Sequence, residues 1–135
     1  MLVCRVEARG ESRERPVLDS ELKDLIAFCC SGLETKLELL KNEDSTVVIK
    51  SIDHSRSSEE EFYFRFKLEE DSVFLANLKV PASRRREGIG TFCVEWLKGL
   101  ARALGFKRVV LESYPSAVGF WAKMGFERQQ EEEDF

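Results

Sequence analysis

The length, composition and charge of the chain exclude several classes of protein. Its 135 residues, 43% hydrophobic and 34% charged, suit one ordinary globular domain (1–135) with one core and leave no room for a second. A formal net charge of −4 argues against non-specific binding to nucleic acid. No apolar run approaches the roughly 20 residues that cross a bilayer, and residues 1–5 lack a signal-peptide layout. We therefore expect a soluble, cytoplasmic protein without a membrane partner.

Strand and helix patterns alternate in the first part of the chain. Apolar and charged residues alternate over 2–8, as in a strand with one wet face. After Pro16, apolar residues recur at helical spacing until about Gly32. The stretch 33–41 fits either a helix or a strand, and we predict a second short helix there.

The middle of the chain predicts strands. Residues 46–52 are rich in β-branched types, and aromatic residues alternate with polar ones over 62–68. Only 69–72 separate this second strand from a third at 73–80. Such short connections imply an antiparallel meander.

The pattern then changes to helix, strand and helix. Apolar residues from 90 to 104 fall on one helical stripe that closes at Gly105, and a short buried strand follows at 107–112. A strand, a helix and a strand joined by tight turns make a βαβ unit, so 107–112 should run parallel to 73–80. A shorter helix at 116–124 and a segment ending in the acidic run 131–134 complete the chain.

Cysteine and histidine are placed unfavourably for a metal site. The cysteines lie in apolar stretches without a Cys-x-x-Cys spacing, and the single histidine, His54, cannot complete a site with them. We predict no bound metal. We also predict that four cysteines are reduced residues of the core: Cys4, Cys29, Cys30 and Cys93.

The junction between the strand 73–80 and the next helix carries the most informative residues. It reads Arg84-Arg85-Arg86-Glu87-Gly88-Ile89-Gly90-Thr91. The first amides of a helix lack partners and bind anionic oxygens, glycines let a phosphate approach, and arginines add forked donors. The residues predict a phosphate-bearing ligand; the alternative is a solvated turn that the glycines tighten. Without Gly-Lys-Ser/Thr or a third glycine, nucleoside triphosphates and NAD are disfavoured.

Two segments resemble the GNAT superfamily of N-acyltransferases. Its signature is Gln or Arg, two residues, Gly, one residue, then Gly or Ala, and the chain has Arg85-Arg86-Glu87-Gly88-Ile89-Gly90. Residues 113–126 resemble the later Ala-x-x-Phe-Tyr helix of the family, which leads into Gly-Phe. The resemblance covers 73–126 well, and before residue 73 it rests on the order of elements.

The resemblance implies the GNAT fold, an α/β (α+β) fold with a mixed sheet. In this fold an antiparallel meander is followed by a βαβ unit, and the central sheet splays between 73–80 and 107–112. Acetyl-coenzyme A would lie in that opening. Its pantetheine arm would pair with the main chain of Leu78 and Val80, whose alternative role is core packing. Its pyrophosphate would lie on the loop residues Arg85, Arg86, Glu87, Gly88, Ile89, Gly90 and Thr91.

The resemblance also implies transfer of an acetyl group to a primary amine of a small molecule or peptide. The usual acid of the family is the Tyr after Phe in the late helix, where this chain has Trp121, whose indole supplies no useful proton. We predict Glu112 as the base, with a solvated strand end as the alternative, and Tyr114 as the acid, with Ser113 and Ser116 as other donors. The alternative function is a non-catalytic acyl-coenzyme A binding or sensing module. A homodimer is compatible with the resemblance, since small members of such families often pair.

Overall fold

The computed structural model describes residues 1–7, 15–33, 36–41, 45–52 and 60–128, with the backbone alone described for 15–19 and 41. His54 and the acidic run 131–134 lie outside these residues. The strands and helices are β1 (Leu2–Arg5), α1 (Arg15–Leu33), β2 (Leu37–Lys41), β3 (Thr46–Ser51), β4 (Tyr63–Leu68), β5 (Ser72–Lys79), α2 (Ile89–Ala103), β6 (Arg108–Leu111), α3 (Val118–Lys123) and β7 (Glu127–Arg128).

The strands of the described residues form one mixed sheet with the order β2-β3-β4-β5-β6-β1-β7. β3, β4 and β5 are consecutive antiparallel neighbours, so the predicted meander is confirmed. β5 and β6 are parallel and α2 connects them, so the predicted βαβ unit is also confirmed. β1 lies between β6 and β7 and is antiparallel to both. No helix in the described part of the chain is long and apolar enough to cross a membrane.

The prediction of a second short helix over 33–41 was wrong. α1 ends at Leu33, and Leu37–Lys41 is the edge strand β2, antiparallel to β3 with Leu39 opposite Ile49. Leu37 and Leu39 are two residues apart, so both lie on the face of the sheet that carries Ile49, where they pack against the core. Pairing with β3 therefore decides the structure of a stretch whose leucines fit both periods.

One face of the sheet packs against α1 and α2 and forms the core. Phe64 and Phe66 of β4 meet the ring of Trp96, on α2, with centroids 6.1 and 5.7 Å away. The indole nitrogen of Trp96 donates a hydrogen bond of 3.1 Å to the carbonyl of Glu21, on α1. The two helices are thereby fixed to each other and to the meander.

A second contact between α1 and α2 is made by two fully buried thiols. Cys29 and Cys93 share a side-chain hydrogen bond, which lowers the pKa of Cys29, while the same bond and burial raise the pKa of Cys93. Beside them the ring of Phe28 stacks on that of Phe92, with centroids 3.7 Å apart. All four cysteines are free, as predicted, although Cys30 is half-buried rather than part of the core.

Candidate functional site

The sheet opens between β5 and β6. These strands pair from Ser72 opposite Arg108 to Leu75 opposite Leu111, and β5 then continues alone on that side to Lys79. At the same point the register with β4 shifts, which leaves Ala76 without a partner in β4. Such a bulge bends its strand and increases the local twist. Pairing between β5 and β6 therefore ends at Leu75, as the splay expected between 73–80 and 107–112 requires, and the backbone after Leu75 borders this place.

Leu78 and Val80 follow the bulge at the end of β5. Both side chains are partly buried against the core, and Leu78 lies opposite Phe64 of β4. Pantetheine binding and core packing are compatible roles for these residues, because a ligand that extends the sheet uses the main chain and leaves the side chains in place. The carbonyl of Val80 also accepts a hydrogen bond of 3.2 Å from Nε of Arg85.

The start of α2 has the geometry of an anion-binding site. Gly88 precedes the helix with a left-handed φ of 85°, and no side chain in the described part of the chain caps it. The first hydrogen bond of the helix runs from the amide of Phe92 to the carbonyl of Gly88, 2.9 Å. The amides of residues 88–91 therefore have no acceptor within the helix, and they lie at the positive end of its dipole.

The two loop glycines leave open space in front of these amides. A Cβ on Gly88 would meet nothing within 4 Å, and one on Gly90 would lie 3.7 Å from Val80 and 4.0 Å from the ring of Phe120. The residues thus fit a phosphate that approaches the backbone closely.

The three arginines surround this loop in different ways. Arg84 lies 3.5 Å from Glu87, and the guanidinium of Arg85 is directed back to Val80. Arg86 has an exposed side chain and a left-handed φ of 75°, a conformation that few non-glycine residues adopt. Arg85 and Glu87 therefore bond to the loop itself, whereas Arg86 extends from it.

The predicted catalytic residues follow β6 directly, just beyond the last residue pair that it forms with β5. Glu112 directly follows Leu111 and is exposed, and Tyr114 is 82% exposed. Oγ of Ser113 donates 2.8 Å to the carbonyl of Tyr114. Ser116 lies inside a 3-10 turn, Pro115–Ala117, so the late helix begins at Val118 and not at residue 116.

Trp121 belongs to an aromatic cluster. Its ring meets Phe120 and Phe126 edge-on, with centroids 4.9 and 5.5 Å away, and is partly buried against the core. Phe120, in contrast, is 38% exposed and lies beside Gly90. Sequence reasoning did not identify Phe120 as a neighbour of the loop. Two adjacent aromatic residues give no signal of which one faces the opening.

The comparisons with known proteins agree with this geometry. Residues 46–126, from the first residue of β3 to the end of the aromatic cluster, match the Acetyltransferase (GNAT) family. The match covers more than half of the chain, and the protein therefore belongs to the GNAT family of acetyltransferases.

Comparisons with individual proteins add no further assignment to the family match. A search of curated proteins found no significant match. Among solved structures, the chain is similar to a GNAT family acetyltransferase from Streptococcus pneumoniae, with 21% sequence identity and a TM-score of 0.38. That alignment covers 94% of this chain and 88% of the other.

Proposed function

We propose that this protein is an N-acetyltransferase that moves an acetyl group from acetyl-coenzyme A to a primary amine of a small molecule or peptide. The observation that carries the proposal is that main-chain groups on both sides of the connection from β5 to α2 are available to a ligand. The amides of residues 88–91 have no helical acceptor, and among the described residues no strand pairs with the end of β5 on the side of β6. Both occur in a chain of the GNAT family.

The chain can bind the two ends of acetyl-coenzyme A by different means. The amides at the start of α2 bind the pyrophosphate, and Arg86 adds positive charge to the same loop. The main chain of Leu78 and Val80 pairs with the pantetheine amides as an added strand would. The bound thioester supplies an acetyl carbonyl that an amine can attack directly.

The protein has two proton transfers to perform. A protonated amine must lose a proton before its nitrogen can attack, and we assign this proton to the carboxylate of Glu112. The departing sulfur takes a proton, which we assign to the phenol of Tyr114, and the second proton that the nitrogen loses as the amide forms restores that phenol. A free thiol has a pKa of about 8.5, so the thiolate is a good leaving group and the base matters more than the acid. Trp121 takes no part, because its ring packs between Phe120 and Phe126.

A thiol-release assay tests the proposal. Purified protein is incubated with acetyl-coenzyme A and a panel of amines, polyamines, amino acids and peptides, and free thiol and acetylated product are both measured. We expect at least one amine to give free thiol and acetylated product in equal amounts. The Glu112→Gln variant should give neither. If the protein binds acetyl-coenzyme A and releases no thiol with any amine, it is a binding or sensing module instead.

A further inference from the structure

A carboxylate from the connection between β3 and β4 holds the loop that joins β5 to α2 (residues 80–88, the β5–α2 loop). Oε1 of Glu60 accepts a hydrogen bond of 3.2 Å from the amide of Ser83, and Oε2 accepts one of 2.5 Å from its hydroxyl. Hydrogen bonds to a charged group are stronger than those between neutral groups. Glu60 therefore binds both donors of one loop residue that lies 23 positions along the chain.

Glu60 lies close in sequence to a residue that is anchored to the sheet. It lies two residues before Phe62, which is 1% exposed. The amide of Phe62 donates 3.2 Å to Oγ of Ser51, and its carbonyl accepts 3.0 Å from the amide of Ser51, the last residue of β3. The carboxylate thus extends from a fixed part of the meander.

Ser83 occupies the centre of a tight turn in the β5–α2 loop. The turn is the 3-10 segment Ala82–Arg84, in which the amide of Arg84 donates 2.9 Å to the carbonyl of Pro81. Arg85 then donates from its side chain to the carbonyl of Val80. Because these bonds lie within the loop, they fix its shape but not its orientation on the sheet. In the described residues, the bonds from Ser83 to Glu60 join the turn to the segment before β4, which Phe62 fixes to the end of β3.

We propose that Glu60 is a positioning residue for coenzyme A, an inference that rests on the proposed function. By holding Ser83, it orients the loop so that the amides of residues 88–91 and the end of β5 face the ligand together. Small errors in such an orientation are costly, since a misplacement of about 1 Å can reduce a rate by roughly 100-fold.

Because Glu60 is charged, the direction in which its removal changes coenzyme A affinity distinguishes two explanations. A carboxylate close to a phosphate site repels the ligand, so loss of its negative charge, considered alone, would tighten binding. Loss of positioning would weaken binding instead. The two effects have opposite signs, and a single affinity distinguishes them.

The experiment measures coenzyme A binding by calorimetry for Glu60→Ala, Glu60→Gln and Ser83→Ala. The matched control is Glu61→Ala, which removes the same charge from an exposed neighbour. We expect Glu60→Ala to bind about tenfold more weakly than the control, with the same urea midpoint. Glu60→Gln should recover binding to within about threefold of the wild type, because its amide can accept from the Ser83 amide and donate to the hydroxyl. Ser83→Ala, which keeps one of the two bonds, should fall between them.

Two results would overturn the inference. One is a Glu60→Ala protein that binds coenzyme A as tightly as Glu61→Ala, or more tightly. The other is a Glu60→Gln protein that binds as weakly as Glu60→Ala, because hydrogen bonding would then not be the cause. A wild type that fails to bind coenzyme A contradicts the proposed function itself. A wild type that binds, and loses binding in Gly90→Val but not in Glu60→Ala, contradicts only the role of Glu60.

Discussion

The ammonium group of Lys98, on α2, donates a hydrogen bond to the carbonyl of Met124, the residue that directly follows α3. Lys98 is only 6% exposed, and its Nζ also lies 3.4 Å from Glu95 and 5.6 Å from the ring centre of Phe126. A cation at the C-terminal end of a helix satisfies carbonyls that have no helical donor. The helix that begins at the candidate phosphate site is thereby tied to the helix that carries Phe120.

Replacing this lysine should lower stability. Lys98→Met keeps much of the buried chain but leaves the Met124 carbonyl without its donor, so we expect a loss of about 2 kcal/mol in the free energy of unfolding. Urea unfolding measures it, with Lys107→Met, at an exposed position, as the control. Equal unfolding free energies for the two variants would show that the buried hydrogen bond contributes nothing.

Gly90→Val should weaken coenzyme A binding and preserve the fold. A Cβ there meets Val80 and Phe120 only at ordinary contact distances, so the protein tolerates it, but the added methyl groups occupy the space of a phosphate. We expect coenzyme A affinity to fall by at least about tenfold, or 1.4 kcal/mol. Gly99→Val is the matched control, because it makes the same change on α2 where a Cβ meets nothing. Unchanged affinity in Gly90→Val would count against the site.

Gly88→Ala should destabilise the protein through the backbone alone. Its φ is 85° and a Cβ would meet nothing within 4 Å, so the cost is the left-handed conformation, roughly 1 kcal/mol. Gly32→Ala, in α1, also has open space around its Cβ, and there alanine should raise stability by up to about 1 kcal/mol. Urea unfolding of both variants should give changes of opposite sign. A Gly88→Ala protein as stable as the wild type would mean that the loop does not need this left-handed conformation.

Trp121 and Tyr114 should respond in opposite ways to removal of their polar groups. Trp121→Phe should lower stability by about 1 kcal/mol through lost packing, with turnover within about twofold of the wild type. Tyr114→Phe, at a position 82% exposed, should leave stability unchanged and lower kcat by about tenfold. Thermal unfolding and the thiol-release assay give both numbers. A loss of turnover in Trp121→Phe alone would place the proton donor elsewhere.

The features that the sequence predicts well are local. The glycine spacing at Gly88 and Gly90 indicates how the chain enters α2, and the order of strand, helix and strand predicts the parallel pairing of β5 and β6. The features it predicts poorly depend on distant partners. Leu37 and Leu39 become a strand because β3 lies beside them, and Glu60 reaches Ser83 across 23 positions. The adjacent rings of Phe120 and Trp121 could not be assigned to the opening or to the core without the position of Gly90.

The central claim is that main-chain amides at the start of α2 bind the pyrophosphate of coenzyme A. The most direct measurement is a titration of isotope-labelled protein with coenzyme A, in which the amide resonances of Gly88, Ile89, Gly90 and Thr91 are followed by NMR. The account predicts that these amides show the largest shifts, as they gain charged acceptors. If the ligand binds while these four amides stay unchanged, the pyrophosphate lies elsewhere and the account is contradicted.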